Sequence, residues 1–170
     1  MKKILKRGLI ILVGLVVFLS AGIIFGNPVC ILLENDQPSK SIGTTANGRL
    51  ENGKRLPNWG DNFVCYSYVG TLLGRNCVHG KVREVVLETY AELKEKYPEK
   101  EFVYGETGWP SGGSFAPHKT HQNGLCVDFM VPVQDSEGNS VPLPTWVFNK
   151  GGYAIQFALK GRYKDYQIDY

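Results

Sequence analysis

The stretch Val82–Glu106, VREVVLETYAELKEKYPEKEFVYGE, decides the fold class. Val82, Val85, Val86, Tyr90, Leu93 and Tyr97 recur at three- and four-residue steps, the period of one helical face. Arg83, Glu84, Glu88, Glu92, Glu95 and Lys96 fill much of the opposite face, and Pro98 ends the run. The pattern predicts an amphipathic helix packed on a core, its charges forming a solvated surface. Phe102–Glu106 is short and apolar-rich and reads as a strand. Beyond it, Thr107–Pro117 is a loop containing Trp109-Pro110-Ser111-Gly112-Gly113, and Leu125–Val131 alternates like a second strand. In that strand Leu125, Val127 and Phe129 are expected to face the core, and Cys126, Asp128 and Met130 a cleft. Tyr153–Leu159 and Tyr163–Tyr170 flank Lys160-Gly161-Arg162 and read as a hairpin. A helix followed by short strands predicts an α+β domain around a largely antiparallel sheet.

Upstream, Asn27–Gly60 is rich in Gly, Pro, Ser, Thr and Asn without sustained periodicity, and reads as a lead-in loop region. The chain opens with Lys2, Lys3, Lys6 and Arg7, followed by an uncharged apolar run of 18 residues, Leu9–Gly26. A run of this length exceeds the roughly 7–15 residues of a signal-peptide core and falls just short of the ~20 of a membrane span. It predicts one N-terminal apolar helix, either a cleaved export signal or a retained anchor. Ser20, Ala21 and Gly22 suit cleavage, whereas Ile23, Ile24 and Phe25 prolong the span. Both outcomes place the rest of the chain outside the cytoplasm, in an oxidising compartment. The expected organisation is 1–26 as signal or anchor, 27–60 as lead-in, and 61–170 as an α+β domain. Membrane contact is expected only through the N-terminal segment.

The whole chain has 19 basic and 16 acidic residues, but without the four basic residues at its start the balance is −1. A nucleic-acid partner needs a basic body and is excluded. Cys30, Cys65, Cys77 and Cys126 make an even set downstream of an export segment, compatible with three disulfide connectivities. Of these, Cys65–Cys77 is the favoured pair. No C-x-x-C motif is present, which argues against a zinc knuckle or a thioredoxin-type site.

Two of the three histidines lie in His118-Lys119-Thr120-His121, and Asp128 follows His121 by seven positions across Gly124. A tight turn at Gly124 would return the chain so that His121 and Asp128 share one ion, with zinc suited to mixed nitrogen and oxygen ligands. Spacing alone leaves a second reading open, in which the histidines only satisfy hydrogen bonds.

The surrounding residues carry more. Between about Val78 and Val133 the sequence resembles the penicillin-insensitive murein endopeptidases. The resemblance lies in the helix start at His79-Gly80, in Tyr104-Gly105-Glu106, in Gly112-Gly113-Ser114-Phe115, and above all in His118-Lys119-Thr120-His121-Gln122-Asn123-Gly124-Leu125 with Val127-Asp128-Phe129. Weaker similarity reaches Glu51–Pro57. It implies a zinc-dependent hydrolase that cuts the peptide cross-links of peptidoglycan. In the roles it implies, His121 and Asp128 hold Zn2+, His118 assists catalysis beside them, and His79 is a structural residue at a helix start. Trp109, Gly112 and Gly113 are candidates for lining the substrate groove, with a packed structural turn as the equal alternative. The family's third ligand comes from a His-x-His strand not found before Tyr170, so the peptidase domain is expected to be C-terminally incomplete. That departure keeps a non-catalytic, peptidoglycan-binding remnant open beside the active peptidase. Cys126 shares the face of Asp128 and is a minor candidate for a substitute ligand.

Overall fold

A computed structural model describes residues 2–170, with side chains from Leu5 onward. The apolar run forms α1, Lys2–Leu32, which is longer than the uncharged stretch and continues into the segment expected to be loop. That segment is further structured by a hairpin of β1 (Lys40–Thr44) and β2 (Asn47–Glu51) and by β3 (Lys54–Arg55). Its polar composition concealed these elements because they are narrow and half solvated, so they carry little apolar period.

The remaining elements are β4 (Phe63–Cys65), α2 (Tyr68–Leu72), β5 (Cys77–Val78), α3 (Gly80–Lys96), β6 (Phe102–Tyr104), β7 (Val133–Gln134), β8 (Ser140–Val141), β9 (Arg162–Tyr163) and β10 (Tyr166–Ile168). The fold is α+β, as the sequence predicts, but the strands form four small sheets. Three are antiparallel (β1-β2, β3-β5 and β8-β7-β10-β9), and β4 pairs parallel with β6. The α3 helix lies on the connection between β4 and β6. His79 caps it, its Nδ1 accepting from the Lys81 amide at 3.1 Å, the structural place expected for this histidine.

Val86 and Tyr90 of α3 bury against Leu56, Phe63, Val78 and Tyr104. Phe63 stacks on Tyr90 with ring centroids 4.4 Å apart. A second cluster, Tyr66, Val103, Val133 and Leu143, fills the other side of β6. The chain thus threads β6 between two cores, which fixes the residues that follow it.

Three local expectations are corrected. Leu125–Val131 is no regular strand: only Phe129 bridges to Tyr104, and Leu125 and Phe129 are 50% and 58% exposed. They rim an apolar groove with Val85 and Leu93 of α3 instead of entering the core. The C-terminal hairpin is β9-β10, turning at Lys164-Asp165, while Val147–Gly152 and Leu159–Gly161 are 3-10 turns. β10 is also paired on its other side, by β7, so it is no open edge. Finally, all four cysteines are free thiols. Cys65 and Cys77 sit in the interior, where burial pushes their thiols up to about 11 and about 12. Both act as small apolar core residues.

The core assignment predicts that Leu56→Ala costs about 2–5 kcal/mol in urea unfolding. Val85→Ala, on the exposed rim, should change stability by less than about 0.5 kcal/mol.

Candidate metal centre

The loop after β6 carries the site, and its shape depends on backbone clamps. His121 adopts φ +72°, a left-handed conformation that costs a non-glycine residue about 1–3 kcal/mol unless its surroundings impose it. They do. The Gln122 amide donates to the Thr45 carbonyl at 3.0 Å, and the Gln122 carbonyl accepts from the Gly113 amide at 2.8 Å. Gly112, at φ +67°, packs so closely that a Cβ would stand 2.2 Å from the Gln122 carbonyl oxygen. At Gly124, φ +75°, the chain turns back as the sequence predicts, and a Cβ there would meet Leu50 and the His79 amide.

This turn drives the His121 imidazole inward to 3% exposure. Its Nδ1 lies 3.0 Å from the Thr107 carbonyl, which can only accept, so Nδ1 carries the proton. Nε2 then opposes Asp128 Oδ1 at 3.2 Å. Asp128 comes from the segment running antiparallel beside the end of β6: its carbonyl accepts from the Gly105 amide at 2.7 Å, and its amide donates to the Glu106 carbonyl at 3.0 Å. With Nδ1 protonated, a neutral His121 presents a lone pair to a carboxylate. The pair requires either a proton or a cation between them. Accordingly the Asp128 hydrogen bond raises the His121 pKa against the opposing effect of burial. Burial pushes the Asp128 carboxyl up, but hydrogen bonds from His121 and Tyr153 outweigh it and hold the group below its ordinary range.

His118 joins this pair. One donor atom from each of His118, His121 and Asp128 lies within 4.8 Å of the others. The two imidazoles meet edge to face at 5.1 Å, both over the fully buried ring of Phe115. His118 Nε2 faces Glu106 Oε2 at 2.6 Å; a carboxylate only accepts, so Nε2 is protonated and Nδ1 remains the basic nitrogen of the neutral ring. Cys126 does not belong to the cluster and is a half-buried thiol.

Around these residues stands a polar shell that spacing did not reveal. Glu106 Oε1 accepts from Tyr66 Oη at 2.7 Å and from Arg75 Nε at 2.5 Å. Burial raises the Glu106 pKa, but these donors and the neighbouring imidazole prevail and lower it. Tyr153 Oη donates to Asp128 Oδ2 at 2.7 Å and accepts from the Glu106 amide at 2.8 Å. The approach needs Gly105, where a Cβ would lie 2.6 Å from that phenol oxygen and 2.9 Å from Asp128 Cβ. Only Glu106 carried a sequence signal, within Tyr104-Gly105-Glu106; Arg75 and Tyr153 are remote in sequence and bear none.

The three groove candidates sit differently. Trp109 is partly buried, its Nε1 donating to the Ser114 carbonyl at 3.2 Å and its ring packed against Phe115. The Arg75 guanidinium lies 4.9 Å from the Trp109 centroid. Gly112 is wedged against the loop backbone, as above. Gly113, at φ +82°, has open space where a Cβ would stand and borders the site without filling it.

A family model of the penicillin-insensitive murein endopeptidases matches residues 41–142, three-fifths of the chain. The chain belongs to this family. The match spans β1 through β8 and contains all three clustered residues, whereas Tyr153 lies outside it. Membership makes the protein a peptidase by kind, in a family of metallopeptidases whose substrate is peptidoglycan. No curated protein matches the chain. The donor set of this family member fits a divalent cation: one imidazole nitrogen freed by the Thr107 bond, one ionised carboxylate, and a second imidazole in reach.

Glu106 gives a pH prediction with a definite sign. Its folded pKa is depressed, so its contribution is present above the unfolded carboxyl pKa of about 4.3 and is lost as pH falls through the folded value. Glu106→Gln should lower stability by about 1–3 kcal/mol at pH 7, and the gap should close in acid below about pH 4. Thermal melts of both proteins across pH, with chelator present, measure it.

Proposed function

We propose that this chain is a zinc-dependent endopeptidase that hydrolyses peptide cross-links of peptidoglycan, exported and facing the cell wall. The observation that carries this reading is the opposition of His121 Nε2 and Asp128 Oδ1 at 3.2 Å, with the other imidazole nitrogen tied to Thr107. Such a pair is arranged for a cation, and its second-sphere contacts are those that orient metal ligands. His121 and Asp128 would hold the ion. A bound zinc supplies Lewis acidity, lowering the pKa of water and polarising a scissile carbonyl.

The chain's own residues then have separable tasks. Asp128 is kept ionised and its carboxylate plane is fixed by Tyr153. His118, protonated at Nε2 against Glu106, keeps Nδ1 free to take up a proton in the cleft and pass it on. Glu106, neutralised in turn by Arg75, stabilises the imidazolium formed on His118 by that uptake. Gly113 leaves the flank of the site open to an extended peptide, and Trp109 with Gly112 supports that wall. The peptidase domain proposed for 61–170 includes all of these groups, with 1–26 as the export or anchor segment and 27–60 contributing β1–β3.

Calorimetric zinc titration together with release of muropeptides from purified sacculi tests the reading. Micromolar or tighter binding is expected, abolished in His121→Ala and Asp128→Ala. His118→Ala should retain zinc within about tenfold and lose about 10²–10⁴ in rate. Zinc binding without muropeptide release would favour a non-catalytic peptidoglycan-binding protein, and absence of zinc binding would end the metallopeptidase reading for this chain. Tyr153→Phe should weaken zinc binding by about 10–100-fold, with the fold unchanged by circular dichroism.

A further inference from the structure

Two fates of the N-terminal run follow from sequence, a cleaved signal and a retained anchor. The α1 helix passes through Ser20-Ala21-Gly22 without interruption, and its last two turns are built into the domain. Pro28 has no N–H and cannot bond the Ile24 carbonyl four residues back. Asn58 of the domain supplies the missing donor, its Nδ2 lying 3.2 Å from that oxygen. One residue earlier, Asn27 is fully buried, at 0% exposure. Its Nδ2 donates to the Leu56 carbonyl at 3.0 Å and to Asn58 Oδ1 at 2.8 Å. Its Oδ1 accepts from Asn76 Nδ2 at 3.0 Å and from Arg55 Nη1 at 3.1 Å. Gly26 lets Leu72 of α2 reach the helix, since a Cβ there would stand 2.3 Å from Leu72 Cδ1. Just past the helix, Glu34 bonds the Arg55 amide and pairs with Arg83 of α3, both at 2.6 Å.

The N-terminal part of α1 is the opposite. Leu9, Ile11, Leu15 and Phe18 are 53–75% exposed and face no other part of the chain. The stretch Leu5–Leu32, 28 residues that include an 18-residue window of mean hydropathy 2.8, is long and apolar enough to cross a membrane. Beside its point of entry into the domain, the surface is apolar as well. Val69 and Leu73, flanking Leu72, are 47% and 63% exposed. Val69 lines a cavity of about 630 Å3 together with Trp146 and Val147, and the next residue, Phe148, is wholly exposed.

We propose that α1 is a retained membrane anchor continuous with the peptidase domain, and that a lipid bilayer is the partner of this apolar surface. A cut at Ser20–Gly22 would strip the exposed apolar part of α1 from the turns held at Asn27 and leave the apolar surface beside them without its bilayer. The polar ring of Asn27, Asn58, Asn76 and Arg55 marks where the helix leaves lipid, because such groups satisfy one another only inside the domain. Trp146 and Phe148 suit the headgroup region. The proposal holds whether or not the chain cleaves peptidoglycan.

The test is made on the full chain expressed in bacteria. Membranes washed with alkaline carbonate should retain the protein, and its intact mass should include the whole apolar run from Leu9 to Gly26. A mature chain starting at or after residue 20, or release into the carbonate wash, overturns the proposal. In detergent, Asn27→Ala should lower Tm by about 4 °C or more while Val13→Ala leaves it unchanged; equal Tm values overturn the built-in helix. Without any variant, limited proteolysis of the solubilised wild-type chain should spare residues 26–33, and early cleavage there has the same consequence.

Discussion

The bond between His121 Nδ1 and the Thr107 carbonyl is the constraint on which the site depends. It assigns the proton to one ring nitrogen and aims the other at the Asp128 carboxylate. The bond can form only because the His121 backbone is held left-handed, clamped through Gln122 to the β1-β2 turn and to Gly113. The Thr107 side chain is itself anchored, its hydroxyl donating to the Cys77 carbonyl at 3.0 Å beneath the site. The His121–Asp128 geometry is therefore transmitted from the β1-β2 hairpin and β5.

A second level of order comes from the two carboxylates. Glu106 and Asp128 lie on adjoining segments, the Asp128 amide donating to the Glu106 carbonyl at 3.0 Å. Each is kept ionised by its own donors, Arg75 and Tyr66 for one, His121 and Tyr153 for the other. Tyr153 couples the two segments by donating to the Asp128 side chain and accepting from the Glu106 backbone. The cluster is thereby bordered by two carboxylates held in the ionised form.

The site and the apolar helix meet in one short segment. Arg75 reaches Glu106 beside the His118, His121 and Asp128 cluster, and its neighbour Asn76 bonds Asn27 near the end of α1. Asn76 also bridges to Gly108, next to Thr107. Asn76 thus joins the last turns of α1 to the segment that precedes the His121 loop.

Local chemistry was sufficient for several parts of this structure. The α3 helix was legible because its apolar residues repeat at the helical period and Pro98 stops it. The α+β class followed from that helix and the short apolar runs after it. His121, Asp128 and the turn at Gly124 were legible because a glycine and two ligand-type side chains lie within one short block. What the sequence determined by itself was thus the information that neighbours in the chain carry. The tertiary structure decided the rest. Leu125 and Phe129 alternate correctly for a strand, yet they face outward because α3 and β6 had already closed the core over Tyr90 and Tyr104. The cysteines, expected to pair, stay apart: Cys65 and Cys77 lie in the core, and Cys30 and Cys126 are half-buried thiols. Arg75, Tyr66 and Tyr153 reach Glu106 and Asp128 across 25 to 40 positions of sequence. No local period or spacing encodes such contacts; they exist only once two cores have packed against the two faces of β6.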